Sequence, residues 1–243
     1  MKRKNNPFLI CYSLLIFYPI ALIITFLTSV STIIFSLLIG DRKLSYYPAI
    51  IWSRLICALA LLKVNVSGLE NYDPHKSYIF IANHQSILDI FLVYGWLDSR
   101  FKWIMKKEIR HIPLVGKACE MVGHIFIDRS SAIKAKKSID KAEVLLRNGA
   151  SVVLFPEGSR TRTGDLQKFK RGAFFLATDL SLEVVPITIK GAYQAWPPRS
   201  IFIKPGSIEI IIHSPLSTEG LTHDNLHEFI EQTRNIIEQP LLQ

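Results

Sequence analysis

The chain has 243 residues, 49% of them hydrophobic, with 29 Lys and Arg against 20 Asp and Glu for a net charge of +9. A mean hydropathy of +0.25 excludes a disordered, purely solvating chain, and the length allows one large domain or two small ones. The basic balance calls for an acidic partner, with nucleic acid, anionic lipid headgroups and a phosphorylated substrate as candidates. Cys11, Cys57 and Cys119 are too widely spaced for a disulfide framework or a C-x-x-C metal site, and they fit a reducing compartment.

From Asn5 to Gly40 there is no charged residue, and the run lies between Lys2-Arg3-Lys4 and Arg42-Lys43. As one helix it would be about 54 Å long against a hydrocarbon core of about 30 Å, so it reads as a membrane segment. Pro19 is a candidate break. Basic flanks on both sides favour a re-entrant hairpin with both ends on the cytoplasmic face over a tilted or kinked single span. The run is too long for a secretory signal and lacks its small-residue cleavage site. Beside such a segment, lipid is the preferred acidic partner and nucleic acid is not expected. Tyr46 to Lys63, with Trp52 and Arg54 among apolar residues, suits a helix lying in the membrane interface or one packed on the protein's own core.

After Gly68 short β-rich runs alternate with helical patterns. Strands are expected at 78–82, 102–105, 124–127, 151–155, 184–190 and 207–213, and helices at 86–96, 107–121, 131–147, 171–179 and 222–238. This alternation predicts an α/β fold, a mixed and largely parallel sheet flanked by helices, preceded by an N-terminal membrane-embedded helical segment. The domain boundary is placed near Gly68, giving an anchoring region, 1–67, and an α/β domain, 68–243.

Three strand ends carry candidate chemistry. The first, Asn83-His84-Gln85-Ser86-Ile87-Leu88-Asp89, sets a histidine five residues from a carboxylate, a general base with a group able to orient it and stabilise its protonated form. Ser86 and Asp89 also fit the N-cap and acidic member of a capping box, which is compatible with that role. The second is Phe155-Pro156-Glu157-Gly158-Ser159-Arg160. Here Gly158 permits an unusual backbone, Arg160 can grip a phosphate, and Glu157 can hold that arginine or a substrate hydroxyl. With Arg162, Lys168, Lys170 and Arg171 this is a dense cationic loop suited to a phosphate-bearing substrate. The third, Ile125-Phe126-Ile127-Asp128-Arg129, ends in an arginine, with a surface ion pair at Asp128 as its plain alternative. His223 and His227 are four apart, but no third metal ligand accompanies them.

N-H-Q-S-I-L-D from Asn83, G-H-I-F-I-D-R-S from Gly123, F-P-E-G-S-R-T-R from Phe155, F-K-R-G-A from Phe169 and Val185-Pro186-Ile187 follow one another in order. In these blocks, over roughly Gly68 to Leu216, the chain resembles the 1-acyl-glycerol-3-phosphate acyltransferase family of membrane glycerolipid acyltransferases. The resemblance implies that His84 is the general base and Asp89 its partner, while Arg129, Glu157, Gly158 and Arg160 bind the acceptor's glycerol phosphate. It also implies transfer of a fatty acyl group from acyl-coenzyme A or acyl-carrier protein to the free hydroxyl of a lysophospholipid, giving phosphatidic acid, with no cofactor beyond the co-substrate and no metal. A different lyso-lipid acceptor is the alternative within the class, and a non-catalytic binder of anionic lipid is the alternative outside it. The implied location is a membrane, the cell inner membrane, with the catalytic domain on the cytoplasmic face.

Overall fold

The computed structural model describes residues 6–39, 44–128, 130, 149–222 and 224–243. Arg129, the helix expected at 131–147 and His223 lie outside the described residues.

Seven strands form one sheet: β1 (Leu62–Ser67), β2 (Ile79–Ala82), β3 (Phe101–Lys106), β4 (Ile125–Ile127), β5 (Ser151–Leu154), β6 (Val184–Lys190) and β7 (Gly206–Ile212), in the order β1-β7-β6-β2-β5-β3-β4. β6, β2, β5, β3 and β4 are mutually parallel, β7 runs antiparallel to β6, and β1 is parallel to β7. The sheet is therefore mixed and largely parallel, as the alternation predicts.

Residue periodicity explains why both faces are covered. In β2, Phe80 and Ala82 join one core with Val153, Val185 and Ile187, while Ile79 and Ile81 join the other with Val152, Leu154 and Val184. Successive side chains point to opposite faces, so a strand buried on both reads as an unbroken apolar run. α3 (Tyr47–Leu59) and α4 (Leu88–Trp96) contribute to the first core, whereas α6 (Gly172–Leu180) and α8 (Leu226–Glu238) close the second.

Several expectations need correction. Leu62–Ser67 was not expected as a strand; its lysine and asparagine alternate with apolar residues on the sheet's edge, next to β7. The helix expected at 107–121 is a 3₁₀ turn, Lys107–His111, followed by α5 (Val115–Val122). Pro113 is the cause, since it holds Ile112 extended at φ −72°, ψ 118° and forbids continuation. The last helix starts at Leu226 rather than 222, because the Asn225 side chain accepts from Thr222 N and donates to Gly220 O, building a turn first. The short α7 (Ala192–Ala195) follows β6.

The N-terminal run has no turn within it. α1 (Pro7–Tyr12), a π-helical turn (Ser13–Phe17) and α2 (Tyr18–Ile39) are continuous, and Pro7–Leu38 is long and apolar enough to cross a membrane. Pro19 is absorbed because the widened turn ahead of it bonds Tyr18 N–H to Ser13 O, five residues back. Chain reversal comes later, where α3 packs back on α2 and Trp52 Nε1 donates to Thr25 Oγ1 at 2.9 Å. Polarity in this helix is reversed from that of a soluble one. Ser13, Ser29 and Thr32 face the protein, and Phe8, Leu15, Leu22, Ile23, Leu27, Leu37 and Leu38 face outward.

Candidate active site

β2 and β5 are adjacent and parallel, so the two main motifs leave the sheet side by side at its carboxyl edge. This is where open α/β sheets hold their ligands. Just past β2, Asn83 extends the ladder with its side chain: Nδ2 donates to Ile189 O at 2.9 Å and Oδ1 accepts from Ile189 N at 2.7 Å. The next residue is His84.

The His84 backbone is clamped at both ends by the β5 loop. Its N–H donates to Glu157 Oε1 at 2.5 Å, and its carbonyl accepts from Thr161 N at 3.0 Å. Its ring lies flat on Phe155, with centroids 3.9 Å apart and planes 7° from parallel, and Phe155 in turn stacks on Trp103. The stacked faces fix the plane of the imidazole.

Asp89 is fully buried in the first turn of α4. Its Oδ2 accepts from His84 Nδ1 at 2.9 Å, Gln85 N at 2.7 Å and Ser86 N at 2.8 Å. Ser86 Oγ accepts from Leu88 N at 3.1 Å, a local turn ahead of the helix, whose N-cap is Ile87, so the expected capping box with Ser86 as the cap does not form. One carboxylate thus holds the turn before α4 and orients the base. With Asp89 on Nδ1, the tautomer places the lone pair on Nε2, the nitrogen facing away from the carboxylate.

Glu157 is 97% buried, and both of its oxygens are engaged: Oε1 by His84 N–H, Oε2 by Gln167 N at 3.1 Å and Gln167 Nε2 at 3.2 Å. Burial pushes its carboxyl above the usual range, while the His84 and Gln167 donors pull it back. Glu157 therefore ties the β2 motif to the β5 loop, and it makes no ion pair with Arg160. Gly158 is left-handed at φ +78°, and a Cβ there would stand 2.6 Å from Lys170 Nζ, because the lysine stem crosses the glycine. Arg160, Arg162, Lys168, Lys170 and Arg171 are all exposed on this loop.

On β4's side, Asp128 pairs with Lys107 at 2.8 Å and accepts from Ser130 N, which holds its carboxyl well below the usual range. The plain ion-pair alternative at Asp128 is what the structure shows. His124, in the same block, is structural: Trp103 N donates to its Nδ1 and its Nε2 meets the Tyr94 hydroxyl at 2.7 Å, so it is locked neutral, pushed down to about 3 by burial. No cluster of three or more metal-ligating side chains occurs among the described residues.

The site also connects to the apolar helix. Ser86 Oγ donates to Trp196 O at 2.6 Å, and Trp196 packs edge-on against Phe17 and Tyr18. Ser13 Oγ accepts from Ile203 N and Tyr18 donates to Ile201 O, fixing the loop after α7 to the start of α2. Sequence reasoning missed Asn83, Phe155, Thr161 and Gln167. Asn83 carried a signal, as a polar residue ending an apolar strand, whereas Gln167 had none because its link to Glu157 spans ten residues of loop.

A His–Asp pair at the carboxyl edge of a mixed α/β sheet, with a cationic loop beside it, is an arrangement able to take a proton from a group held next to a bound anion. The chain belongs to the acyltransferase family: the family model described as Acyltransferase matches residues 63–190. It is 36% identical over 177 residues to a chloroplastic 1-acyl-sn-glycerol-3-phosphate acyltransferase of Arabidopsis thaliana, covering 72% of this chain and 49% of that one. It is 34% identical over 179 residues to 1-acyl-sn-glycerol-3-phosphate acyltransferase alpha of Mus musculus, covering 72% and 62%. The matched segments span about half to three-fifths of these relatives' lengths. The crystal structure of the 1-acyl-sn-glycerophosphate acyltransferase PlsC from Thermotoga maritima superposes with a TM-score of 0.81 at 26% identity, over 98% of this chain and 95% of that one.

Proposed function

We propose that the chain transfers a fatty acyl group from an acyl thioester, acyl-coenzyme A or acyl-carrier protein, to the free sn-2 hydroxyl of 1-acyl-glycerol-3-phosphate, giving phosphatidic acid. The observation that carries this reading is the His84 Nδ1 to Asp89 Oδ2 contact of 2.9 Å, with the His84 backbone clamped on both sides. Nε2 takes the hydroxyl proton as the oxygen attacks the thioester carbonyl, Asp89 stabilises the imidazolium, and the Phe155 face holds the ring in plane. Collapse of the tetrahedral adduct breaks the C–S bond, and the leaving thiolate takes the proton back from Nε2. A thioester is already activated, so no acyl-enzyme is required.

Arg160, with Arg129 and the turn at Gly158, is assigned to the acceptor's phosphate, and Glu157 supports that subsite by holding the loop against His84. The outward apolar face of α1 and α2 supports a membrane location; the cell inner membrane with the site on the cytoplasmic face is part of the same proposal. So is the division into an anchoring region, 1–67, and a catalytic domain, 68–243, with β1 the part of the former taken into the sheet. The relatives' names favour lysophosphatidic acid over other lyso-lipids.

The test is acyl transfer by purified full-length protein with both donors and a panel of lysophospholipids. Product from lysophosphatidic acid above all other acceptors supports the reading. Product only from another lyso-lipid replaces the acceptor, and none from folded protein with either donor overturns the enzyme in favour of a lipid binder.

A further inference from the structure

The end of the 3₁₀ turn and the loop that joins it to α5 present four consecutive exposed residues, His111-Ile112-Pro113-Leu114, with Ile112 48% and Leu114 38% accessible. Its conformation is built, not slack. Leu114 sits at φ +62°, ψ −48°, a region a leucine rarely adopts. Gly116 is pressed so close that a Cβ would stand 2.2 Å from Arg110 O. Gly116 N–H bonds to Ile112 O and Ala118 N–H to Leu114 O, so the apolar tip rides on the first turn of α5. A strained backbone held by that much surrounding structure keeps two large aliphatic side chains exposed at one tip, where they are available to an apolar partner.

Two features identify the partner. First, α5 packs along α2, so the tip adjoins a helix whose outward surface is apolar. Second, β3 runs parallel to β5, so the chain from Lys107 to Leu114 leaves the sheet at the same carboxyl edge as His84 and the β5 loop. That edge is basic: 158–171 holds five Lys and Arg against one carboxylate, Asp165. An apolar tip beside a cationic surface fits an anionic lipid bilayer, where aliphatic side chains enter the acyl boundary and the cations meet headgroups.

We propose that Ile112 and Leu114 insert into the membrane interface as a second anchor, distinct from α2, and set the sheet's carboxyl edge against the bilayer so that a lipid acceptor reaches His84 without leaving the membrane. The inference rests on the proposed lipid acyl transfer for its purpose but not for its test.

The full chain, with its three cysteines replaced by serine, is labelled with an environment-sensitive fluorophore at Ile112→Cys or, as reference, at Glu231→Cys on the exposed face of α8, and reconstituted in phosphatidylglycerol-containing vesicles. The label at 112 is expected to be protected from iodide and quenched by nitroxide-bearing lipid, with the label at 231 open to iodide. Equal iodide access at both positions overturns the proposal. In parallel, Ile112→Glu should lower turnover several-fold on acceptor held in vesicles and leave it unchanged in mixed detergent micelles; an equal fall in both, or none in either, contradicts it. Absence of turnover in every format would remove the enzymatic reading, and the label at 112 would still decide whether the loop inserts.

Discussion

Replacing Asp89 with Asn separates the charge of the carboxylate from its shape. Oδ2 accepts three hydrogen bonds, whereas Oδ1 is buried without a partner among the described residues. An Asn amide therefore fits in one orientation: its oxygen takes the Oδ2 position, because Gln85 N–H and Ser86 N–H both require an acceptor there, and its NH₂ occupies the place of Oδ1. His84 Nδ1–H keeps its acceptor and its tautomer. What is lost is the negative charge facing the imidazolium that forms as the hydroxyl proton leaves. Two unit charges about 4 Å apart interact by about 4 kcal/mol at an effective dielectric of 20. The amide dipole returns part of this, so the rate of acyl transfer should fall by about 10²–10³-fold. Folding stability should fall by about 1–3 kcal/mol, since the turn keeps its hydrogen bonds but the amide NH₂ takes the buried place of Oδ1, where no acceptor among the described residues meets it. Asp89→Ala, by contrast, strands three donors at a buried turn and should cost roughly 3 kcal/mol or more. Initial rates with saturating donor, together with thermal unfolding of each variant, make the comparison. An Asp89→Asn enzyme within a few-fold of the parent rate would show that the carboxylate's charge has no part in the chemistry.

Glu157→Gln offers one oxygen where two are used, and its NH₂ must face either His84 N–H or the Gln167 donors. Stability should fall by about 1–3 kcal/mol, with kcat dropping as the His84 clamp loosens and acceptor KM rising as the loop that carries Arg160 shifts; a rise in acceptor KM alone, at unchanged stability, would make Glu157 a direct ligand. Gly158→Ala should lose about 1–2 kcal/mol from its left-handed backbone and raise the acceptor KM as the Lys170 ammonium is pushed aside, so wild-type KM in this variant would detach Lys170 from acceptor binding. His124, pushed down to about 3 from an ordinary 6.5, binds its proton more readily in the unfolded chain. Its contribution to stability is complete above about pH 6.5 and lost as pH falls towards 3, at up to about 1.4 kcal/mol per pH unit. Urea midpoints at pH 7 and pH 5 should show a steeper loss for the parent than for His124→Gln, and parallel losses would contradict it.

The sheet was legible because β2, β5 and β6 are unbroken apolar runs ended by polar motifs, and a strand buried on both faces must look like that. β1 escaped because it follows α3 within three residues and alternates polar and apolar on the edge beside β7. The split at Pro113 was written in the sequence, since proline forbids the helix that the surrounding pattern suggests. His84 and Asp89 could be paired from spacing alone, because both belong to one turn. The role of Glu157 could not, as its partner donors lie 73 positions away and ten positions on. Polarity of the N-terminal helix was legible only as composition; that its serines and threonines face inward follows from contacts with Trp52 and the loop after α7.

The most direct measurement is the rate of acyl transfer to lysophosphatidic acid by His84→Ala beside the parent, with equal folding verified by thermal unfolding. Removing a general base should lower the rate by about 10²–10⁴-fold while leaving the protein membrane-bound. A variant that folds, stays on the membrane and transfers acyl groups at the parent rate would contradict the assignment of His84, and with it the mechanism built on the carboxyl edge of the sheet.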